Sequence, residues 1–193
     1  MQKLYLSFDI EADGPSPYLN NMLSFGISGI TQDGKEVFSF QRNLSPLYNK
    51  KRDEKCMSEF WDKNPEAWKF VNSNMKDPVE SMREFSLEFE KLKKKYKVKW
   101  VAYPSAYDWQ WIKYYYELMR SLHPNSIDIG YSAICISTMF QYYSKKNNLT
   151  QNEEKKLWQD LIGKVELSHD PLDDARVQGQ AFLRLCKIEN ILL

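Results

Sequence analysis

Between residues 4 and 10 apolar and polar side chains alternate with a period of two, and Gly14-Pro15-Ser16-Pro17 then stops the pattern. That alternation predicts a short strand that ends beside Asp9 and runs into a loop. The pattern returns over residues 22–31 and 36–44, with Gln32-Asp33-Gly34-Lys35 between them. An Asp-Gly pair flanked by alternating segments predicts an antiparallel hairpin. Three strands therefore open the chain.

Past a polar, basic connection at Asn49-Lys50-Lys51-Arg52 the period lengthens. Residues 56–64 and 65–72 read as two short helices, the second with Pro65 at its first position, anchored by Phe60, Trp61 and Trp68. Asp77-Pro78-Val79-Glu80 supplies an N-cap, a first-turn proline and an acid at the third position. Val79, Met82, Phe85, Phe89, Leu92 and Tyr96 then recur at spacings of three or four. Residues 99–103 predict an apolar strand ended by Pro104, and residues 105–121 and 130–143 predict helices. Helices are also expected over 152–162 and 173–188, the last with Val177, Ala181, Leu185 and Ile188 along one side. Strands first and helices afterwards indicate α/β or α+β layers on one sheet.

At 193 residues, with 42% hydrophobic and 27% charged side chains, the chain suits one domain spanning residues 1–193. It shows no repeat, low-complexity tract or linker. Lys plus Arg is 27 and Asp plus Glu is 26, so bulk charge does not mark a polyanion binder and any nucleic-acid contact must come from local patches. One patch stands out: residues 90–99 hold six lysines and one glutamate, which reads as a phosphate-attracting surface or as a solvated helix end favoured by the dipole. Cys56, Cys135 and Cys186 are far apart, with no spacing for zinc or a redox pair, and read as free thiols. No apolar run reaches the length of a membrane span and Met1 leads straight into the first strand, so a soluble, cytoplasmic protein is expected.

Candidate chemistry begins with Asp9-Ile10-Glu11, where period-two geometry points two carboxylates to one face at the end of a strand. They could share one hard cation. Alone the triplet means little, because it arises about once by chance in a chain of this length and charge content. Asp108 follows the predicted strand near a helix start, and His169 precedes Asp174 in the first turn of the last helix. Both acids also suit helix N-termini for dipole reasons alone. His123, in a Leu-His-Pro-Asn turn, reads as a capping or surface residue.

Taken together and in order, D-x-E on strand one, an acid opening a mid-chain helix and H-x4-D opening the last helix resemble the DEDDh branch of the DEDD 3′–5′ exonucleases, which includes proofreading exonucleases, oligoribonuclease and RNase T. Asp9 and Glu11 match the first motif, Asp108 the second, and His169 with Asp174 the third. Two positions depart from the common pattern: Ala12 stands where many members carry threonine, and Tyr103-Pro104 where proofreading members carry His-Asn. The segments from Asp9 to Pro15 and Phe60 to Trp68 look most like an RNase T-like bacterial and viral group.

The resemblance implies an RNase H-like α/β domain: a mixed five-stranded sheet, its first three strands antiparallel, flanked by helices. It implies a 3′–5′ exonuclease that uses two Mg2+ or Mn2+ ions held by Asp9, Glu11, Asp108 and Asp174, with His169 as general base. Oxygen ligands select such hard cations. Single-stranded RNA or DNA 3′ ends are the implied partners, RNA slightly favoured, with contacts from Ala12, Asp13, Gly14, Met22, Leu23 and Tyr107, and some relatives act as homodimers. The rival reading is a noncatalytic nucleic-acid-binding or protein-interaction module on the same fold.

Overall fold

A computed structural model describes residues 1–165 and 167–191. Strands β1 (Lys3–Ala12), β2 (Met22–Thr31) and β3 (Glu36–Asn43) come first. Then follow α1 (Glu54–Glu59), a 3-10 turn (Trp61–Lys63), α2 (Pro65–Val71), α3 (Pro78–Lys95), β4 (Lys97–Ala102) and α4 (Ser105–Leu122). The chain closes with β5 (Ile134–Cys135), α5 (Ile136–Lys146), α6 (Gln151–Ile162) and α7 (Pro171–Ile188). The sheet order is β3-β2-β1-β4-β5; β1 pairs antiparallel with β2 and parallel with β4. This is the expected mixed five-stranded α/β sheet with its first three strands antiparallel.

The alternation in β1 decides which layer each residue joins. Leu4, Leu6, Phe8 and Ile10 enter the large core with Phe85 and Phe89 of α3, Trp100 of β4 and Tyr116 of α4. Their odd-numbered neighbours point the other way, where Tyr5 packs with Phe182 of α7 at a ring separation of 5.0 Å. Asp9 and Glu11 belong to this second face, beneath α7. Pairing with β2 shifts register between Glu11 and Ala12, so the strand bends as it leaves the sheet.

Two segments depart from the sequence reading. The fifth strand, Ile134–Cys135, lies inside the segment predicted as a helix over 130–143, and α5 begins only at Ile136. Two residues cannot display a period; the strand exists because Val101 and Ala102 of β4 offer it a parallel edge. The helix expected over 56–64 ends at Glu59 and continues as a 3-10 turn. Asp53 caps α1, its side chain accepting the Cys56 N–H.

Helix α7 lies close against the sheet because each side of the contact contributes a glycine. Gly26, opposite Asp9 in the ladder, has no side chain where a Cβ would fall 2.2 Å from the Leu172 backbone nitrogen. Gly179 on α7 leaves space where a Cβ would fall 2.9 Å from Ile30 Cδ1 and 3.0 Å from Ser7 Cβ. At Gly26 the obstruction is backbone, which cannot rotate away. Gly26→Ala is therefore expected to destabilise the protein by about 1–3 kcal/mol, the usual range for overpacking, measured as a lower denaturant midpoint. An unchanged midpoint would show that α7 can lift without cost.

Candidate active site

Asp9 and Glu11 reach the site from β1, Asp108 from the first turn of α4, and Asp174 from the first turn of α7. Each is fixed by a different partner. Gln178 Nε2 donates to Asp9 Oδ1 at 2.7 Å, while Gln178 Oε1 accepts the Tyr103 N–H at 2.9 Å, so the amide ties Asp9 to the end of β4. The Ile10 N–H donates to Asp108 Oδ1 at 3.3 Å, drawing α4 to the end of β1. Asp174 accepts the Ser168 N–H at 2.9 Å on Oδ1 and the His169 N–H at 3.1 Å on Oδ2. Its partners belong to the loop that carries the histidine. Asp170 caps α7 and receives the Gln41 side chain at 2.7 Å, which joins that loop to β3.

His169 adopts φ 58°, in the left-handed region that a β-carbon disfavours. The turn brings its Nδ1 to 3.6 Å from Glu11 Oε1, an ion-pair distance, and sets its ring edge-on against Phe60 at 4.8 Å between centroids. Glu11, His169 and Asp174 each offer a ligand atom, all within 4.8 Å of one another.

Four acids in one partly water-excluded place repel one another. Burial, then the charges of Asp108, Glu11 and Asp174, holds the Asp9 carboxyl well above its usual range, against the Gln178 hydrogen bond. Burial likewise raises Glu11, opposed by His169, and raises Asp174. Asp108 is pushed up to about 8, mainly by burial. The neighbouring Glu11 carboxylate raises His169 in return. A donor set dominated by carboxylate oxygens that resist simultaneous ionisation fits a hard divalent cation, which would supply the missing positive charge.

No protein-family model matches the sequence. The 3′–5′ DNA exonuclease Cap18 of Escherichia coli is 24% identical over 193 residues, 98% of this chain and 95% of that protein. Among solved structures, S. pombe Pop2p in its Mg2+- and Mn2+-bound form matches with a TM-score of 0.58 at 13% identity, over 95% of this chain and 82% of that one. A 3′-exonuclease recognising the histone mRNA stem-loop matches at 0.58 and 14% identity, over 98% and 82%. E. coli ExoI with single-stranded DNA and zinc matches at 0.64 and 14%, over 98% of this chain but 41% of its own length. The chain has the fold of the DEDD-type 3′–5′ exonucleases.

In this fold Asp9, Glu11, Asp108, His169 and Asp174 converge at the carboxyl end of β1, although their positions span more than 160 residues of sequence. The expected contact residues divide. Tyr107 is 38% exposed, and its hydroxyl donates to the Gly14 carbonyl at 3.2 Å. Gly14 is required by Asn20, whose Cγ lies 2.3 Å from where a Cβ would stand. The Ala12 carbonyl accepts Trp61 Nε1 at 3.0 Å. Asp13 is fully buried and turned inward, accepting the Asn21 N–H at 2.6 Å and Asn21 Nδ2 at 2.9 Å. Met22 and Leu23, expected against a terminal nucleotide, are buried at 0% and 3% exposure and present no side chain to solvent. Leu23 instead packs with Trp61 and Val71 under the short helices. His123 is the C-cap of α4.

Gln178 and Phe60 were not among the expected site residues. Gln178 lies four residues after Asp174 on a helix, hence on the same face, and that spacing was the available signal. Phe60 comes from a separate unit and had none.

The raised Asp108 carboxyl fixes the sign of a pH effect. A group lifted from an ordinary 3.8 to about 8 in the folded protein adds stability below pH 4 that is lost progressively as pH rises to 8. Asp108→Asn, which keeps an oxygen for the Ile10 N–H, removes that loss. In chelator the variant is expected to match the parent near pH 4 and to exceed it by at least about 1 kcal/mol above pH 8, read from denaturant midpoints. A constant difference across pH would contradict the assignment.

Proposed function

We propose that the protein is a metal-dependent 3′–5′ exonuclease that removes nucleoside 5′-monophosphates from single-stranded ends. The observation that carries this reading is the meeting of four carboxylates and one histidine at the end of β1, each on a different partner but all facing one place. A structural cluster of acids would be expected to pair with lysine or arginine. Among the described residues none of Asp9, Glu11, Asp108 and Asp174 has such an ion pair, and the recorded contact is to His169.

Asp9, Glu11, Asp108 and Asp174 would hold two divalent cations, which when bound neutralise charge on the phosphoryl oxygens and the departing 3′-oxygen. His169 accepts the proton of the attacking water. The water oxygen bonds to phosphorus as the bond from phosphorus to the 3′-oxygen breaks; the terminal residue departs as a nucleoside 5′-monophosphate, and the 3′-oxygen takes a proton from solvent to leave a shortened strand with a 3′-hydroxyl. Phe60 holds the imidazole from the side, so the ring can lose and regain a proton without leaving its place. Gln178 keeps Asp9 turned toward the site through β4.

Both sugars belong to the proposal. Similarity along almost the whole chain to a DNA exonuclease supports DNA, and structural likeness to a histone mRNA 3′-exonuclease supports RNA. The shared chemistry is the last phosphodiester of an unpaired strand.

A gel time course with 5′-labelled DNA and RNA oligonucleotides of one sequence tests the reading. Shortening from the 3′ end is expected with Mn2+, none with EDTA, and none above background with Asp9→Asn. Uncut strands with folded protein and Mn2+ would favour the noncatalytic module instead. His169→Ala is expected to slow cleavage by about 10²- to 10⁴-fold, as loss of a general base does, with Mn2+ affinity within about threefold of the parent by calorimetry. A parallel loss of affinity would make His169 a ligand rather than the base.

A further inference from the structure

The two basic segments of the sequence lie at opposite ends of the sheet. Lys97 opens β4 beside Lys3, at the start of β1, so Lys97 and Lys99, with the last turn of α3 before them, lie at the end of the sheet remote from the carboxylates. There Lys91 and Lys94 pair with Glu88 and Glu90 of their own helix, and Lys93 and Lys95 lie over Phe89 and Tyr96. The helical part of that run, up to Lys95, is a solvated helix end, as one of its two sequence readings had it, while Lys97 and Lys99 belong to β4.

The other segment, Asn49-Lys50-Lys51-Arg52, is fastened to the loop that leaves the site. Asp53 N–H donates to the Asp13 carbonyl at 2.8 Å, Lys51 N–H to the Leu19 carbonyl at 2.9 Å, and Asn20 Nδ2 to the Lys51 carbonyl at 2.8 Å. Asp13 follows Glu11 by two residues, about 7 Å along an extended chain. Lys50 is used internally, its Nζ donating to the Pro17 carbonyl and to Tyr114 Oη at 2.9 Å. That leaves Lys51 and Arg52, both exposed, with the Arg52 guanidinium 4.9 Å above the Trp68 ring. Among the described residues neither forms an ion pair with a carboxylate. Tyr48, fully exposed, stands three residues before Lys51, and Tyr18 and Leu19 are 74% and 68% exposed on the loop to which the segment is bonded.

We propose that this strap docks the phosphate backbone of a single-stranded nucleic acid, through Lys51 and Arg52, where the strand leads away from the terminal nucleotide. The inference rests on the exonuclease reading for the direction of the strand. Exposed cations, one of them lying over an indole ring, are a combination that holds unpaired strands without regard to sequence. Their position answers a problem the site creates, since a pocket of four carboxylates repels the polyanion it must admit. Fixed positive charge at the rim offsets that repulsion outside the pocket and leaves the carboxylates free.

The test is fluorescence anisotropy of matched 12-nucleotide DNA and RNA strands in EDTA across a salt series. It compares the parent with Lys51→Glu/Arg52→Glu and with Lys97→Glu/Lys99→Glu, the same charge change at the remote end. The strap variant is expected to weaken binding about tenfold or more, equally for DNA and RNA, and to lower the salt slope by about 1.4, two phosphate contacts at about 0.7 each. The remote variant should stay within about twofold of the parent. Equal losses in both variants would reduce the effect to net charge, and a loss confined to RNA would replace the phosphate contact with a sugar contact; either overturns the proposal, as does unchanged binding in the strap variant or no binding by the parent. Lys51→Gln/Arg52→Gln carries the test should the reversed charges disturb folding. Cleavage is not read here, so a parent that cuts strands while its strap variant binds normally defeats this inference alone. A parent that binds through the strap but cuts nothing defeats the exonuclease reading alone.

Discussion

The approach of α7 to β1 and β2 is the constraint from which the site follows. Asp174 and Gln178 can reach Asp9 and Glu11 only if the helix lies almost on the strand, and Gly26 beneath its first turn and Gly179 within it make that approach sterically open. The same seating places Asp170 against Gln41 of β3 and forces the preceding loop into the turn that carries His169. A side chain at Gly26 would therefore act on geometry several residues away, by raising the helix that holds two of the site's groups.

This seating brings like charges together, and among the described residues no lysine or arginine pairs with them. It distributes hydrogen-bond donors instead: the Ile10 amide to Asp108, the Gln178 amide to Asp9, and the Ser168 and His169 amides to Asp174. Each donor stabilises an ionised carboxylate locally, yet burial outweighs them and every one of the four acids is held above its ordinary range. A proton or a cation must then make up the balance. Stability without metal and affinity for metal are opposite readings of one electrostatic deficit.

The sheet and the motif carboxylates were legible because they rest on local signals. Alternation in β1 and β2 reports two faces of different chemistry, both of which the structure covers, and the spacing in Asp9-Ile10-Glu11 reports a shared face whatever lies above it. What stayed hidden depends on tertiary partners. Ile134–Cys135 becomes a strand only beside β4, and its residues read equally well as the opening of α5. Met22 and Leu23 differ in no local respect from residues that could face a nucleotide; only the packing of α1, α2 and α4 shows them covered. Asp13 looked available because its partner Asn21 lies across a loop. Neither basic segment, six lysines against one glutamate over residues 90–99 or three cations over residues 49–52, shows in its own sequence which end of the sheet it occupies; chain topology separates the end that holds the site from the end that does not.

That polarity also bears on how a polyanion could reach such a site in a chain of net charge +1. Long-range attraction is weak at this net charge and is screened within about 8 Å at physiological salt. Capture must then be a matter of short-range contacts near the entrance. The strap is suited to this because its backbone is bonded to the loop that continues from β1, so its cations keep a fixed relation to the carboxylates instead of drifting on a flexible tail. Lys50 turns its ammonium to the Pro17 carbonyl and to Tyr114 of α4, which fastens the segment while Lys51 and Arg52 stay exposed. Under the proposed activity, attraction at the rim and repulsion in the pocket are held at a set separation by the same few hydrogen bonds.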